Sequence, residues 1–120
     1  MKAAVVLVVE NGKILAVSRR GRYLDMGLPG GKAEDGETPI DAAAREFKEE
    51  TGQIVCNLTL QDVCQNDGFE VHLFTGDLIG HCPPHINQED CRVVWIEADE
   101  LCEGSFADYN RRVVLPLLEA

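Results

Sequence analysis

What this chain lacks narrows its function before any motif is considered. No apolar run in its 120 residues approaches the roughly 20 residues of a membrane span, so no membrane partner is expected. Basic residues are scarce: 11 Lys and Arg stand against 21 Asp and Glu, for a net charge of −10. Proteins that bind DNA or RNA neutralise phosphates with Lys and Arg, so a nucleic-acid polymer is not an expected partner either. Small phosphorylated ligands remain open, because divalent cations can bridge acidic side chains to phosphate. Solubility alone accounts for the charge equally well. The five cysteines, Cys56, Cys64, Cys82, Cys91 and Cys102, are odd in number and scattered, which speaks against a disulfide framework. The "HCPPH" cluster (His81, Cys82, His85) lacks a second ligand pair, so it reads as a surface loop rather than a zinc site. Repeats, linkers and low-complexity tracts are absent. The opening "MKAAVVLVVENG" is short, lacks a small-residue cleavage site and runs into a hairpin turn. It reads as a strand, and cytoplasm is the expected location.

What is present suits one globular domain over residues 1–120, with 45% hydrophobic and 27% charged residues. Residues 3–9 form a β-branched apolar run that suits a buried strand. Asn11-Gly12 is a two-residue hairpin signal, and Lys13 to Ser18 would be the returning strand. A long Gly-rich loop follows, with a short strand near Leu24–Leu28. Thr38 can cap a helix that has Pro39 at its first position and Gly52 as its left-handed terminator. Ile54–Cys64 and Phe69–Ile79 read as strands joined by a turn at Asn66-Asp67-Gly68. Arg92–Ile96 is a further strand, residues 98–101 a helical turn, and residues near 108–118 a final helix strained by Pro116. Strands, helix, strands, helix is an α/β order, suited to a mixed sheet between helices.

The helix poses a question. Glu49 and Glu50 both project beside Glu46, and each like-charge pair at this spacing costs roughly 0.2–0.5 kcal/mol on an exposed helix. Asp41–Arg45 and Arg45–Glu49, opposite charges at i,i+4, offset part of that cost. An apolar stripe of Ile40, Ala43, Ala44 and Phe47 lies on an adjoining arc. A solvated helix face would be the ordinary explanation, and the surrounding residues argue against it.

Gly31, Glu37, Arg45, Glu46, Phe47, Glu49, Glu50 and Gly52 stand in one register. This pattern resembles the signature of the Nudix hydrolases, G-x5-E-x7-R-E-U-x-E-E-x-G-U, where U is a bulky aliphatic residue. Every polar and glycine position matches. Phe47 and Gln53 depart from the two U positions, and Leu28-Pro29-Gly30 resembles the family's approach to the box. The resemblance implies a Nudix α/β/α sandwich with a mixed sheet between helices. It also implies an enzyme acting on phosphoanhydride bonds with Mg²⁺ as cofactor and Mn²⁺ as a substitute. The residue types make chemical sense, since Mg²⁺ prefers oxygen ligands, and carboxylates on one helix face can hold ions that neutralise phosphates and activate water. The clustering of like charges then has a reason.

By the family pattern, Glu46, Glu49 and Glu50 are implied as catalytic metal ligands, joined by a backbone carbonyl of the glycine pair, Gly30 before Gly31. Glycine there lets the backbone approach an ion closely. Gly31, Glu37, Arg45 and Gly52 are implied as structural members, with Arg45 orienting carboxylates and Glu37 tying down the loop. For the general base, Glu46 and Glu89 are both candidates. Asp90 could be the counterpart instead, and a solvated loop acid is an equal reading of Glu89.

Specificity falls outside the box. The proline typical of ADP-ribose hydrolases, the tyrosine of dinucleoside polyphosphate hydrolases and the SQPWPFPxS array of NADH-type relatives are all missing. The MutT-type branch, which converts nucleoside triphosphates to monophosphate and pyrophosphate, fits better. Ser18-Arg19-Arg20 resembles its arginine pair, with Arg20 meeting phosphate. The segment beginning at Asn110 resembles the one whose asparagine reads an oxidised guanine. An asparagine can bond a purine edge as donor and acceptor, or cap a helix with no ligand at all. Leu28 and Gly30 complete the expected substrate-binding set. The partner is then a small nucleotide, and the protein a monomer or homodimer. A nucleotide-sugar hydrolase and a non-catalytic nucleotide sensor are the alternatives, the second disfavoured by the intact carboxylate set.

Overall fold

Strand β1 (Lys2–Leu7) is apolar on both faces, and both faces are covered. In the computed structural model, which describes residues 1–119, β1 lies inside a four-stranded mixed sheet. The order there is β5 (Gly30–Lys32), β1, β7 (Phe69–Ile79), β6 (Ile54–Asn66), with β1 and β7 parallel. A second, antiparallel sheet joins β2 (Val9–Glu10), β3 (Lys13–Arg19), β9 (Arg92–Ile96) and β8 (His85–Ile86), and β4 (Arg22–Gly27) pairs with β3. The expected mixed sheet is therefore divided in two. Alternation along the strands sorts the core. Val6, Leu15 and Val17 face helix α1 (Pro39–Thr51), which contributes Ala42, Ala43 and Phe47. Leu7, Ile14 and Ala16 face the C-terminal helical segment, which contributes Tyr109 and Val114. Period-two side chains thus bury both strand faces under helices, giving an α/β/α sandwich.

Helix α1 starts and stops at the expected residues. Thr38 accepts a hydrogen bond from the Asp41 N–H at 3.3 Å, and Gly52 ends the helix at φ 75°. Loss of that cap would cost about 1 kcal/mol. Its buried stripe is rotated from the expected one. Ala42, Ala43, Phe47 and Thr51 face inward, while Ile40 and Ala44 are exposed. The change carries Arg45 and Glu46 to the edge of the covered face, where both are half-buried.

The Gly-rich loop holds a strand that the sequence reading passed over. β5 pairs with β1 through Val5↔Gly30, Ala4↔Gly31 and Ala3↔Lys32. A Cβ on Gly30 would overlap the Ala4 carbonyl oxygen, so only glycine allows this approach. Beyond β9, Ala98–Cys102 is a 3₁₀ turn, and the last helical segment is broken. Ala107–Tyr109 is α-helical, Asn110–Val114 a π-helical turn and Leu115–Leu118 α-helical again. Pro116 cannot donate to the preceding turn and its ring crowds the carbonyl four residues back, so a widened turn just before it relieves both. No helix among the described residues is long and apolar enough to cross a membrane.

Candidate active site

Arg45 is the centre of one half of the site. Its Nε and Nη2 donate to the two Glu37 oxygens, both at 2.9 Å. Nη1 donates to Glu46 at 2.9 Å and reaches Glu49 at 3.3 Å, and Nη2 also donates to the Lys32 carbonyl. Among the described residues Arg45 forms no ion pair with Asp41, the partner expected from i,i+4 spacing. The box carboxylates and Glu34 take the guanidinium instead. Glu37 also accepts the Glu34 N–H. The Arg45 hydrogen bonds, with that from Glu34, hold the Glu37 carboxyl down at about 2. Two parallel N–H donors on one carboxylate fix its position as well as its charge.

The other half behaves in the opposite way. Glu50 accepts the Gly30 N–H at 2.6 Å, but burial and the charges of Glu46, Glu89 and Glu49 raise its carboxyl to about 8. Glu46 is raised too, by burial first and then by Glu49 and Glu89, against the pull of Arg45. Glu89, 39 residues beyond Glu50 in the chain, adds to the negative charge that raises both Glu46 and Glu50. Glu49 is exposed, adds to the same negative charge and reaches Arg45 at 3.3 Å. Among the described residues no three His, Cys, Asp or Glu form a ready-made metal cage. Gly31 explains how close the strand comes, since a Cβ there would meet the Glu46 carboxyl carbon at 2.6 Å.

On the β5 side lies a cavity of about 310 Å³, lined by Leu28, Gly30, Lys32, Phe69, Phe106 and Asn110 among others. Gly30 and Gly31 belong to both places: they line the cavity, while the Gly30 N–H holds Glu50 and Gly31 backs Glu46. Of the expected substrate residues, Leu28, Gly30 and Asn110 are brought together there. Arg20 is elsewhere, with its Nε donating to the Glu89 carbonyl at 3.0 Å. Asn110 is buried, and its Nδ2 donates to the Leu101 carbonyl at 2.8 Å. It therefore ties the helical segment to the 3₁₀ turn, and no helix start is capped by its side chain.

Several residues of the site were not singled out from sequence. Lys32 stands over the Phe69 ring at 5.3 Å, and Arg19, the first of the expected arginine pair, stands over the Phe106 ring at 5.8 Å, so both aromatics meet cations at the cavity. Asn87 was passed over as a loop residue. Its Nδ2 donates to the Glu50 carbonyl, and its Oδ1 accepts the N–H groups of Glu89 and Cys91. The Asn87-Gln88-Glu89-Asp90 run was the available signal, because Asn and Asp favour such local turns. In the neighbouring "HCPPH", Cys82 is buried beneath the end of α1 and its carbonyl accepts the Trp95 indole N–H.

The model of the NUDIX domain matches residues 1–118. This chain belongs to the NUDIX domain family. Among similar proteins, the putative 8-oxo-dGTP diphosphatase of Bacillus subtilis (strain 168) is 34% identical over 101 residues, covering 82% of this chain and 67% of that protein. The 8-oxo-dGTP diphosphatase of Proteus vulgaris is 47% identical over 46 residues, which cover 38% of this chain and 41% of that protein. The crystal structure of a MutT protein from Bacillus halodurans superposes with a TM-score of 0.73 at 24% identity, over 99% of this chain and 82% of that one. The fold is thus the Nudix fold, and the protein is a Nudix hydrolase, an enzyme of phosphoanhydride bonds. Nudix hydrolases generally use a divalent metal and act on small nucleotide substrates.

Proposed function

We propose that this single Nudix domain is a Mg²⁺-dependent, MutT-type hydrolase. It would cleave a nucleoside triphosphate to monophosphate and pyrophosphate, with 8-oxo-dGTP the first substrate to try. The observation that carries the reading is the contrast at Glu50, a half-buried carboxylate crowded by the charges of Glu46, Glu89 and Glu49 while the nearby Arg45 is already occupied. Such a site is short of positive charge, and a hard divalent cation with oxygen ligands supplies it. The similar proteins named for 8-oxo-dGTP support the choice of substrate.

The donor set fits Mg²⁺. Glu46 and Glu50 would hold it with the Gly30 carbonyl, and Glu49, exposed and in a long contact with Arg45, is free to join them. Bound there, the cation would neutralise phosphate charge and make a coordinated water more acidic. Arg45 and Glu37 keep Glu46 in place, while the Gly30 N–H orients Glu50. Glu89 is taken as the general base in preference to Glu46. Its carboxylate takes no hydrogen bond or ion pair among the described residues, whereas Glu46 is engaged by Arg45. The nucleobase would enter the cavity between Phe69 and Phe106 beside Asn110, with Lys32 available to phosphate oxygens.

The test is product analysis. Purified protein is incubated with Mg²⁺ and 8-oxo-dGTP, canonical triphosphates, nucleotide sugars and ADP-ribose. Monophosphate with pyrophosphate from a triphosphate is expected. Turnover of diphosphate-linked compounds alone would discard the triphosphate reading, and hydrolysis that persists in excess EDTA would discard the cation.

A further inference from the structure

The turn that carries Glu89 is exposed, yet it is fastened on two sides. The β3–β4 turn holds one side: the Gly21 N–H donates to the Asp90 carbonyl at 2.8 Å, Arg20 donates to the Glu89 carbonyl, and the Tyr23 hydroxyl donates to the Asp90 carboxylate. Asn87 holds the other. Its backbone N–H donates to the Cys91 carbonyl and its carbonyl accepts the Asp90 N–H, closing the turn on itself. Its side-chain oxygen accepts from Glu89 at 2.9 Å and Cys91 at 3.0 Å, so both amides that flank the tip are satisfied by one atom. The side-chain amide then donates to the Glu50 carbonyl at 2.9 Å.

That last contact has a physical reason. The final carbonyls of a helix have no partner inside it and must find one elsewhere. In α1 the Lys48 carbonyl is met by the Gly52 N–H and the Thr51 carbonyl by the Cys82 thiol, while the Glu50 carbonyl is met by Asn87. The residue that completes the helix end is thus the residue that shapes the Glu89 turn. We propose that Asn87 is a positioning residue, tying the Glu89 turn to the last turn of α1, the helix that carries Glu46 and Glu50. The proposal rests on the hydrolase reading above and on Glu89 acting in it. Asn87 touches neither substrate nor metal in this scheme; it acts through Glu89.

The test joins kinetics to hydrogen exchange. Asn87→Ala is expected to lower kcat about 30- to 100-fold, as a misplaced reacting group does, with KM for the triphosphate changed by less than about threefold. In the Mg²⁺-free protein, exchange at the Glu89 and Cys91 amides should accelerate while the amides in the middle of α1 keep their protection. Adding Asn87→Ala to Glu89→Gln should cost little more than Glu89→Gln alone, because both changes remove the same group from action. The milder Asn87→Ser guards against loss of the fold, and an intermediate kcat is expected of it. Wild-type kcat in Asn87→Ala, or full additivity with Glu89→Gln, would overturn the proposal. Wild-type kcat in Glu89→Gln would overturn it together with the role of Glu89, leaving the hydrolase reading standing. A wild-type protein that turns over no substrate would overturn both.

Discussion

Two carboxylates of the site, Glu37 and Glu50, lie at opposite ends of the Nudix box and have opposite fates. Glu37 receives two guanidinium N–H groups and is held at about 2. Glu50 receives one backbone N–H, loses solvation on folding, and is raised to about 8. Arg45 serves the first and leaves the second without a cation. One short motif thus treats its acids differently. The acid that anchors the loop takes two nitrogens of the arginine. Of the acids proposed to hold metal, Glu46 and Glu49 share a third nitrogen, and Glu50 has no ion pair among the described residues.

The largest test of that contrast is Glu50→Gln. The amide keeps an oxygen for the Gly30 N–H and the volume of the side chain, so the fold should persist. The proposed cation loses a charged ligand, and kcat should fall by roughly 1000-fold or more, about 4 kcal/mol of transition-state stabilisation. Circular dichroism and steady-state hydrolysis check the two halves. Substantial turnover in the variant would mean that Glu50 holds no metal. Arg45→Met comes next. It unfastens Glu37, Glu46 and Glu49 together, so both Tm and activity should drop, with kcat down about 100-fold as the carboxylates lose their orientation. Glu50→Gln removes a carboxyl whose raised pKa costs stability at neutral pH, so its Tm should hold or rise where Arg45→Met lowers it; a similar fall in both variants would erase the distinction between the two ends.

Much of this arrangement was legible before the structure, and the reasons are local. Thr38, Pro39 and Gly52 mark the ends of α1 because caps and terminators act within a few residues. The hairpins at Asn11-Gly12 and at Asp67-Gly68 are likewise set by short-range turn chemistry, and their second residues adopt φ 76° and 80°. What escaped depends on distant partners. β5 is a Gly-Gly-Lys strand with little intrinsic strand preference, and it exists because β1 pairs with it across the sheet. Asn87 matters through a bond to a residue 37 positions earlier. The stripe of α1 was misjudged by counting Ile40 and Ala44 as apolar without knowing which arc the sheet covers. Asn110 posed a choice between reading a base and capping a helix. It lines the cavity, but its amide is committed to Leu101, a contact that no spacing rule foretells.

The paired glycines sharpen the comparison at smaller cost. On Gly31 an added methyl would press on the end of the Glu46 side chain, which can swing aside; on Gly30 it would strike the backbone of β1. Gly31→Ala should therefore keep its Tm within a few degrees while kcat falls about tenfold from the displaced carboxylate. Gly30→Ala should lose stability by about 1–3 kcal/mol or more, as overpacking does, because the β1–β5 pairing cannot yield. Urea unfolding of both variants checks this. Equal destabilisation would mean that the two glycines serve the same end.

The smallest effect expected is that of Glu37→Gln, and it lies in acid rather than at neutral pH. Glu37 titrates near 2 when folded and near its ordinary value, about 4.3, when unfolded. The unfolded chain therefore binds more protons in that window. The stabilisation is fully present above it and disappears as pH falls from about 4.5 towards 2. Gln cannot titrate, so the variant should melt lower than wild type at pH 7 and approach it as the solution is acidified. Tm measured from pH 7 to pH 2 follows the two curves. If they run parallel, the Arg45 clamp on Glu37 contributes nothing to folding, and Arg45 acts on the reactive carboxylates alone.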